Sequence, residues 1–213
     1  MALLGVGRIV ALAILIAAFT PGTVVGGELI KDSTGQEVDS ELDARLTNAR
    51  SFRLKGPNFD LDKSIVLLEE ITREKADYYR AWYNLALAYL QKDPEDFEPI
   101  QKAFQTAADI QAKDPNIVDG SLYNSFGWAL LNEGQYAAAE ENLMLGLKLA
   151  ETNSDWTNSA LNYNLGRLYF EQGNIPSAEE YLGTAADRYK NGMAIELKAI
   201  IDKTRKPILK KGG

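Results

Sequence analysis

The strongest constraint on this chain is that it repeats itself. Trp82-x2-Leu85-Ala86-x2-Tyr89 recurs as Tyr123-x2-Phe126-Gly127-x2-Leu130 and again as Asn162-x2-Leu165-Gly166-x2-Tyr169. Each motif precedes a pair spaced at one helical turn: Ile100 with Phe104, Ala139 with Leu143, and Ala178 with Leu182. Ala107, Gly146 and Ala185 follow three residues later each time. Gly127 to Gly166, Gly134 to Gly173 and Ala139 to Ala178 share one offset of 39 residues. Self-similarity at such a period predicts an array of identical supersecondary units. The small residues mark where two antiparallel helices cross closely, and the large ones fill the space between successive pairs.

The punctuation agrees. Glu133-Gly134-Gln135-Tyr136 and Gln172-Gly173-Asn174-Ile175 put Gly where a helix end needs a left-handed residue. Asp93-Pro94 and Asp114-Pro115 stop the two helices of the first unit. Upstream, Leu42, Leu46, Ala49 and Phe52 share one helical face, and Ser64-x3-Leu68 lies 36 residues before Ile100-x3-Phe104. Residues 42–75 therefore read as a degenerate unit capping the N-terminal end. Downstream, Ile195, Leu197, Ile200 and Ile201 predict a closing helix over 193–206, ended by Pro207. Terminal units need such caps because an array otherwise leaves an apolar face bare.

This pattern resembles the tetratricopeptide repeat family, with units over 79–115, 120–153 and 159–192. The resemblance implies an all-α fold: a right-handed superhelix of antiparallel helix pairs, a solenoid closed by a C-terminal capping helix. The period departs from the usual 34 residues. The second and third units also lack the opening Trp, and only the first ends in Pro.

Composition narrows the chemistry. The chain has 213 residues, a net charge of −7, no His and no Cys. That double absence excludes imidazole-based triads, thiol nucleophiles and thiolate or imidazole metal sites. The expectation is no enzyme and no cofactor or metal. An acidic surface repels phosphate backbones, so nucleic acid is not an expected partner.

Residues 1–27 differ from the rest. Arg8 is their only charge and precedes the apolar run Ile9–Phe19; Thr20, Pro21 and Gly22 then break a helix before the small pair Gly26-Gly27. This is the layout of a secretory signal peptide, with an uncleaved anchor over residues 2–19 as the alternative. The expected location is the periplasm. Residues 28–41 are expected as a flexible leader. Residues 207–213 form a basic tail, where Lys210 and Lys211 continue a run begun by Lys203, Arg205 and Lys206. Either terminus offers weak contact with a membrane surface.

In the family, first helices line the concave face, and the resemblance carries candidate partner-binding residues onto matching positions. These are Tyr83, Asn84 and Leu87 from the first unit, and Asn124, Ser125 and Trp128 from the second. The third contributes Tyr163, Asn164, Arg167 and Phe170. Amides match the N–H and C=O groups of a ligand backbone, and aromatics pocket its side chains. Arg167 is the only basic side chain among them. The implied function is a non-catalytic scaffold of the bacterial cell envelope that binds a protein or peptide segment in the groove. The alternative is a membrane-tethered scaffold that assembles with copies of itself.

Overall fold

The computed structural model describes residues 27–149 and 151–209, with side chains placed up to Lys203. The signal-like segment 1–26 and the last four residues of the basic tail lie outside the described residues. A short hairpin, β1 (Leu29–Lys31) and β2 (Glu37–Asp39), comes first. Four helical hairpins follow: α1 (Ser40–Arg53) with α2 (Leu61–Glu74), α3 (Tyr79–Lys92) with α4 (Phe97–Lys113), α5 (Gly120–Asn132) with α6 (Tyr136–Lys148), and α7 (Asp155–Glu171) with α8 (Ile175–Gly183). A π-helical turn, Thr184–Arg188, then leads into α9 (Gly192–Leu209).

The repeated landmarks form the seams. Ala86 is buried between α3 and α4 with Ile100, Phe104 and Ala107. At Gly127 a Cβ would meet Leu143 Cγ at 2.6 Å, and at Gly166 it would meet Leu182 Cγ at 2.6 Å. Close approach of backbone to a leucine on the facing helix is what excludes a side chain at both positions. Gly134 (φ +70°) and Gly173 (φ +76°) end their helices as the sequence predicts. Gln135 N–H reaches Leu130 O at 2.9 Å and Asn174 N–H reaches Tyr169 O at 2.8 Å, so carbonyls of the last turn are satisfied by the chain that leaves it.

The apolar faces join through the array. One cluster runs through α3 to α7, with Phe104 stacked on Phe126 at 5.2 Å between ring centres. A second ties β2, α1, α2 and α3, and a third ties α8 to α9. Among first helices, α1 lies against α3 and α5 against α7. The first helices thus form the closely spaced inner layer, and the second helices lie outside it.

Two expectations change. The segment 28–41 is not a loose leader: Ile30 pairs with Val38, which is buried, and α1 begins at Ser40. Asp39 starts the helix by accepting from Glu41 N–H at 2.8 Å and Leu42 N–H at 3.2 Å. Gln36 fastens the hairpin to the next unit, donating to Asp77 O at 2.6 Å and accepting from Tyr79 N–H at 3.0 Å. Arg80 of α3 pairs with Asp43 of α1 at 2.6 Å and lies 3.6 Å from Asp32 of the hairpin. Three-residue strands carry almost no periodic signal, so this clasp rests on side chains that a sequence pattern does not reveal.

The closing helix also differs. It runs to Leu209, and Pro207 does not end it. Ala194, Leu197 and Ile201 face inward, whereas Ile195 and Ile200 are each half-exposed. No helix among the described residues is long and apolar enough to cross a membrane.

Candidate functional site

The inner layer carries a groove where α5, α7 and the start of α9 meet. It encloses about 570 Å³ and is lined by Asn124, Trp128, Trp156, Tyr163, Asn164 and Arg167, with Tyr189 and Met193 closing its far side. A second cavity of about 310 Å³ shares Tyr163, Arg167 and Met193 and extends the groove along α9 to Phe170 and Leu197. Six of the ten residues expected to bind a partner therefore line one continuous surface.

Helical spacing explains the grouping. Asn124 and Trp128 lie four residues apart on α5, and Tyr163, Arg167 and Phe170 fall on one face of α7. Asn191 sets the angle of α9: its Oδ1 accepts from Ala194 N–H at 3.1 Å and its Nδ2 donates to Ser159 Oγ at 2.9 Å. Lys190 just before it takes a left-handed backbone, φ +57°, so the chain turns sharply out of the π-helical turn. That turn places Tyr189 and Met193 opposite α7.

The polar members are already engaged with each other. Asn164 Nδ2 donates to Asn124 Oδ1 at 3.0 Å, and both residues are buried. Arg167 Nε pairs with Glu171 at 2.7 Å, one turn along. The indoles are not engaged in this way: Trp128 is 38% exposed and Trp156 72% exposed. The groove thus has an ordered amide floor and an exposed aromatic rim, the combination that places interface energy in a few large apolar anchors.

The first-unit candidates lie apart from that groove. Tyr83 packs its ring against Phe104, 6.3 Å between centres, and its hydroxyl meets Ser121 O at 3.2 Å and Ser125 Oγ at 3.0 Å. Burial pushes its pKa up to about 12, against the opposing effect of the Ser125 hydrogen bond. Asn84 is buried and donates to Arg80 O of its own helix at 2.7 Å. Leu87 packs against the central core.

Sequence reasoning passed over two residues on the same inner layer. Arg50 and Arg53 occupy the last turn of α1, and both guanidinium groups act electrostatically on Tyr83. Trp156, Tyr189 and Met193 were missed too. They stand at a helix start and in the turn into α9, outside the repeat positions that the resemblance marks.

Comparison with known proteins bears on the repeats. The tetratricopeptide repeat model matches the chain twice, over residues 120–153 and 159–191. The hairpins α5–α6 and α7–α8 are thus recognisable as tetratricopeptide repeats. Among solved structures, MamA superposes with a TM-score of 0.57 at 18% identity, over 78% of this chain and 86% of MamA. Nearly identical tetratricopeptide-like repeats of a Podosopora anserina kinesin light chain superpose with a TM-score of 0.56 at 20% identity, over 71% of this chain and 76% of theirs. Such identities show a shared fold, a helical repeat solenoid. The search of curated proteins finds no match. A tetratricopeptide solenoid is a protein–protein interaction fold, whose stacked units build extended concave binding surfaces.

Proposed function

We propose that this protein is a non-catalytic scaffold of the bacterial cell envelope, exported by its N-terminal segment, that holds an extended segment of a partner protein in the groove between α5, α7 and α9. One observation carries the reading. Residues expected to bind from two successive first helices meet in a single groove of about 570 Å³ whose aromatic rim is exposed. A cavity of several hundred Å³ with a few fixed polar groups suits anchor side chains of a peptide. The order of Arg8, apolar run and Gly26-Gly27 supports export.

The test is site-specific photo-crosslinking in the native cell. A crosslinker at position 128 should capture a discrete partner, and one at Val66, exposed on α2 in the outer layer, should not. Capture from position 66 alone would move the binding surface to the outer face.

A second reading, self-assembly, is favoured by the bare apolar side chains Met193, Ile195 and Ile200 of the last helix. It predicts concentration-dependent oligomers by light scattering of the full chain.

A further inference from the structure

The inner layer has a second feature that the repeat pattern does not explain. Arg50 and Arg53 stand one turn apart at the end of α1, and the Nε of each is buried without a hydrogen-bond partner among the described residues. The ion pairs among the described residues all involve other cations. In a chain with net charge −7, two neighbouring guanidinium groups with no carboxylate between them are conspicuous. Burial and then the charge of Arg50 lower the pKa of Arg53. The carboxylate that acts on Tyr83 is Asp119, whose Oδ2 accepts from Tyr79 Oη at 2.9 Å and Oδ1 from Ser121 N–H at 2.8 Å. Neither arginine forms an ion pair with a carboxylate among the described residues.

The two arginines act electrostatically on Tyr83 of α3, whose hydroxyl in turn reaches Ser121 and Ser125 of α5. They therefore sit on the same inner layer as the aromatic groove, about two helix spacings away, roughly 16–20 Å at usual interaxial distances. An extended chain covers that in about five or six residues.

We infer that Arg50 and Arg53 receive the side-chain carboxylates of an acidic stretch in the partner segment whose apolar anchor occupies the Trp128–Trp156 groove. This rests on the groove reading above and adds the partner's chemistry and spacing. A free chain terminus supplies one negative charge, whereas two acidic side chains supply two and match the pair. Guanidinium forks suit carboxylates because their N–H groups pair with both oxygens.

An array of C-terminally amidated random decapeptides probed with the full chain tests this. Wild type should select peptides with an aromatic or large aliphatic residue and Asp or Glu about five or six positions away. R50Q/R53Q should keep the apolar preference and lose the acidic one, with affinity for an acidic hit falling about tenfold or more, the scale of one charge-assisted hydrogen bond. R50K/R53K, which keeps the charge but not the planar fork, should retain a weaker acidic preference, separating recognition from a folding defect. Hits that depend on Trp128 yet show no acidic enrichment, or whose enrichment survives R50Q/R53Q, would overturn the inference and leave the groove reading standing. Binding restricted to peptides with a free C-terminus or a phosphoryl group would also overturn it. No selection by wild type, or hits indifferent to Trp128→Ala, would instead sink the groove reading.

Discussion

Asn164 of α7 donates its side-chain N–H to Oδ1 of Asn124 on α5 at 3.0 Å, so one repeat is tied to the next by a buried amide pair at the groove floor. Asn124→Leu leaves the Asn164 amide without that acceptor and should cost about 1–3 kcal/mol, the penalty of an unsatisfied buried polar group. Adding Asn164→Leu should recover part of the loss, because no orphaned amide remains. Urea unfolding of both single variants and the double variant measures the coupling; strictly additive losses would mean the two amides act independently.

The crossings at Gly127 and Gly166 make a second test. A Cβ at either position meets a leucine Cγ at 2.6 Å, with backbone of the facing helix only slightly farther, at 3.2 and 3.1 Å. Gly127→Leu and Gly166→Leu should each destabilise by about 1–3 kcal/mol or more through overpacking. At Gly134 a Cβ meets nothing within 4 Å, so Gly134→Ala carries only the strain of φ +70°, about 1 kcal/mol. Thermal melts that rank Gly134→Ala as the most damaging would contradict the assigned register.

How much of this was legible in the sequence depends on periodicity. Gly127, Gly166, Gly134 and Gly173 recur at one offset because each repeat solves the same packing problem, so the helices and seams could be read directly. The groove was half legible. Trp128, Tyr163 and Arg167 hold repeat positions, whereas Trp156, Tyr189 and Met193 reach it through a helix start and a turn that occur once. Arg50 and Arg53 went unread because α1 belongs to the degenerate unit, where no motif assigns an inner face. The hairpin went unread for a different reason: its hold on the array is made by Asp32, Gln36 and Arg80, polar side chains with no periodic signature.

That hold can be measured. Asp43 accepts from Arg80 Nη1 at 2.6 Å and from Tyr78 Oη at 2.7 Å. Asp43→Ala removes both and should cost about 2–3 kcal/mol, as expected for hydrogen bonds to a charged group. Hydrogen exchange should speed up first at Val38 and through α1, and not in α7. Uniform acceleration across all repeats would show that the N-terminal unit has no separate clasp.

Alkaline stability follows from the tyrosines. Burial raises the Tyr83 pKa to about 12, and burial together with Glu69 or Glu140 raises Tyr89 and Tyr169 further. An unfolded Tyr ionises near about 10. Between those values the unfolded chain has lost protons that the folded chain retains, so stability must fall as pH rises. The contribution is complete below about pH 10 and declines from there through about 12. The part of the tyrosinate absorbance that belongs to Tyr83, Tyr89 and Tyr169 should therefore appear only with loss of helix; full ionisation near pH 10 with the helices intact would contradict the buried placement.

The central claim, a groove that takes a partner segment on its aromatic rim, has a direct probe in the chain's own three tryptophans. Trp128 and Trp156 line the groove, whereas the Trp82 indole N–H donates to Ala76 O at 2.8 Å, in a separate cavity shared with Thr72 and Pro99. Their indole N–H signals should be followed by NMR while a peptide from the partner captured at position 128 is added. The account predicts that the Trp128 and Trp156 signals shift together and saturate with one affinity while Trp82 stays in place. A shift of Trp82 with Trp128 and Trp156 unmoved would contradict it.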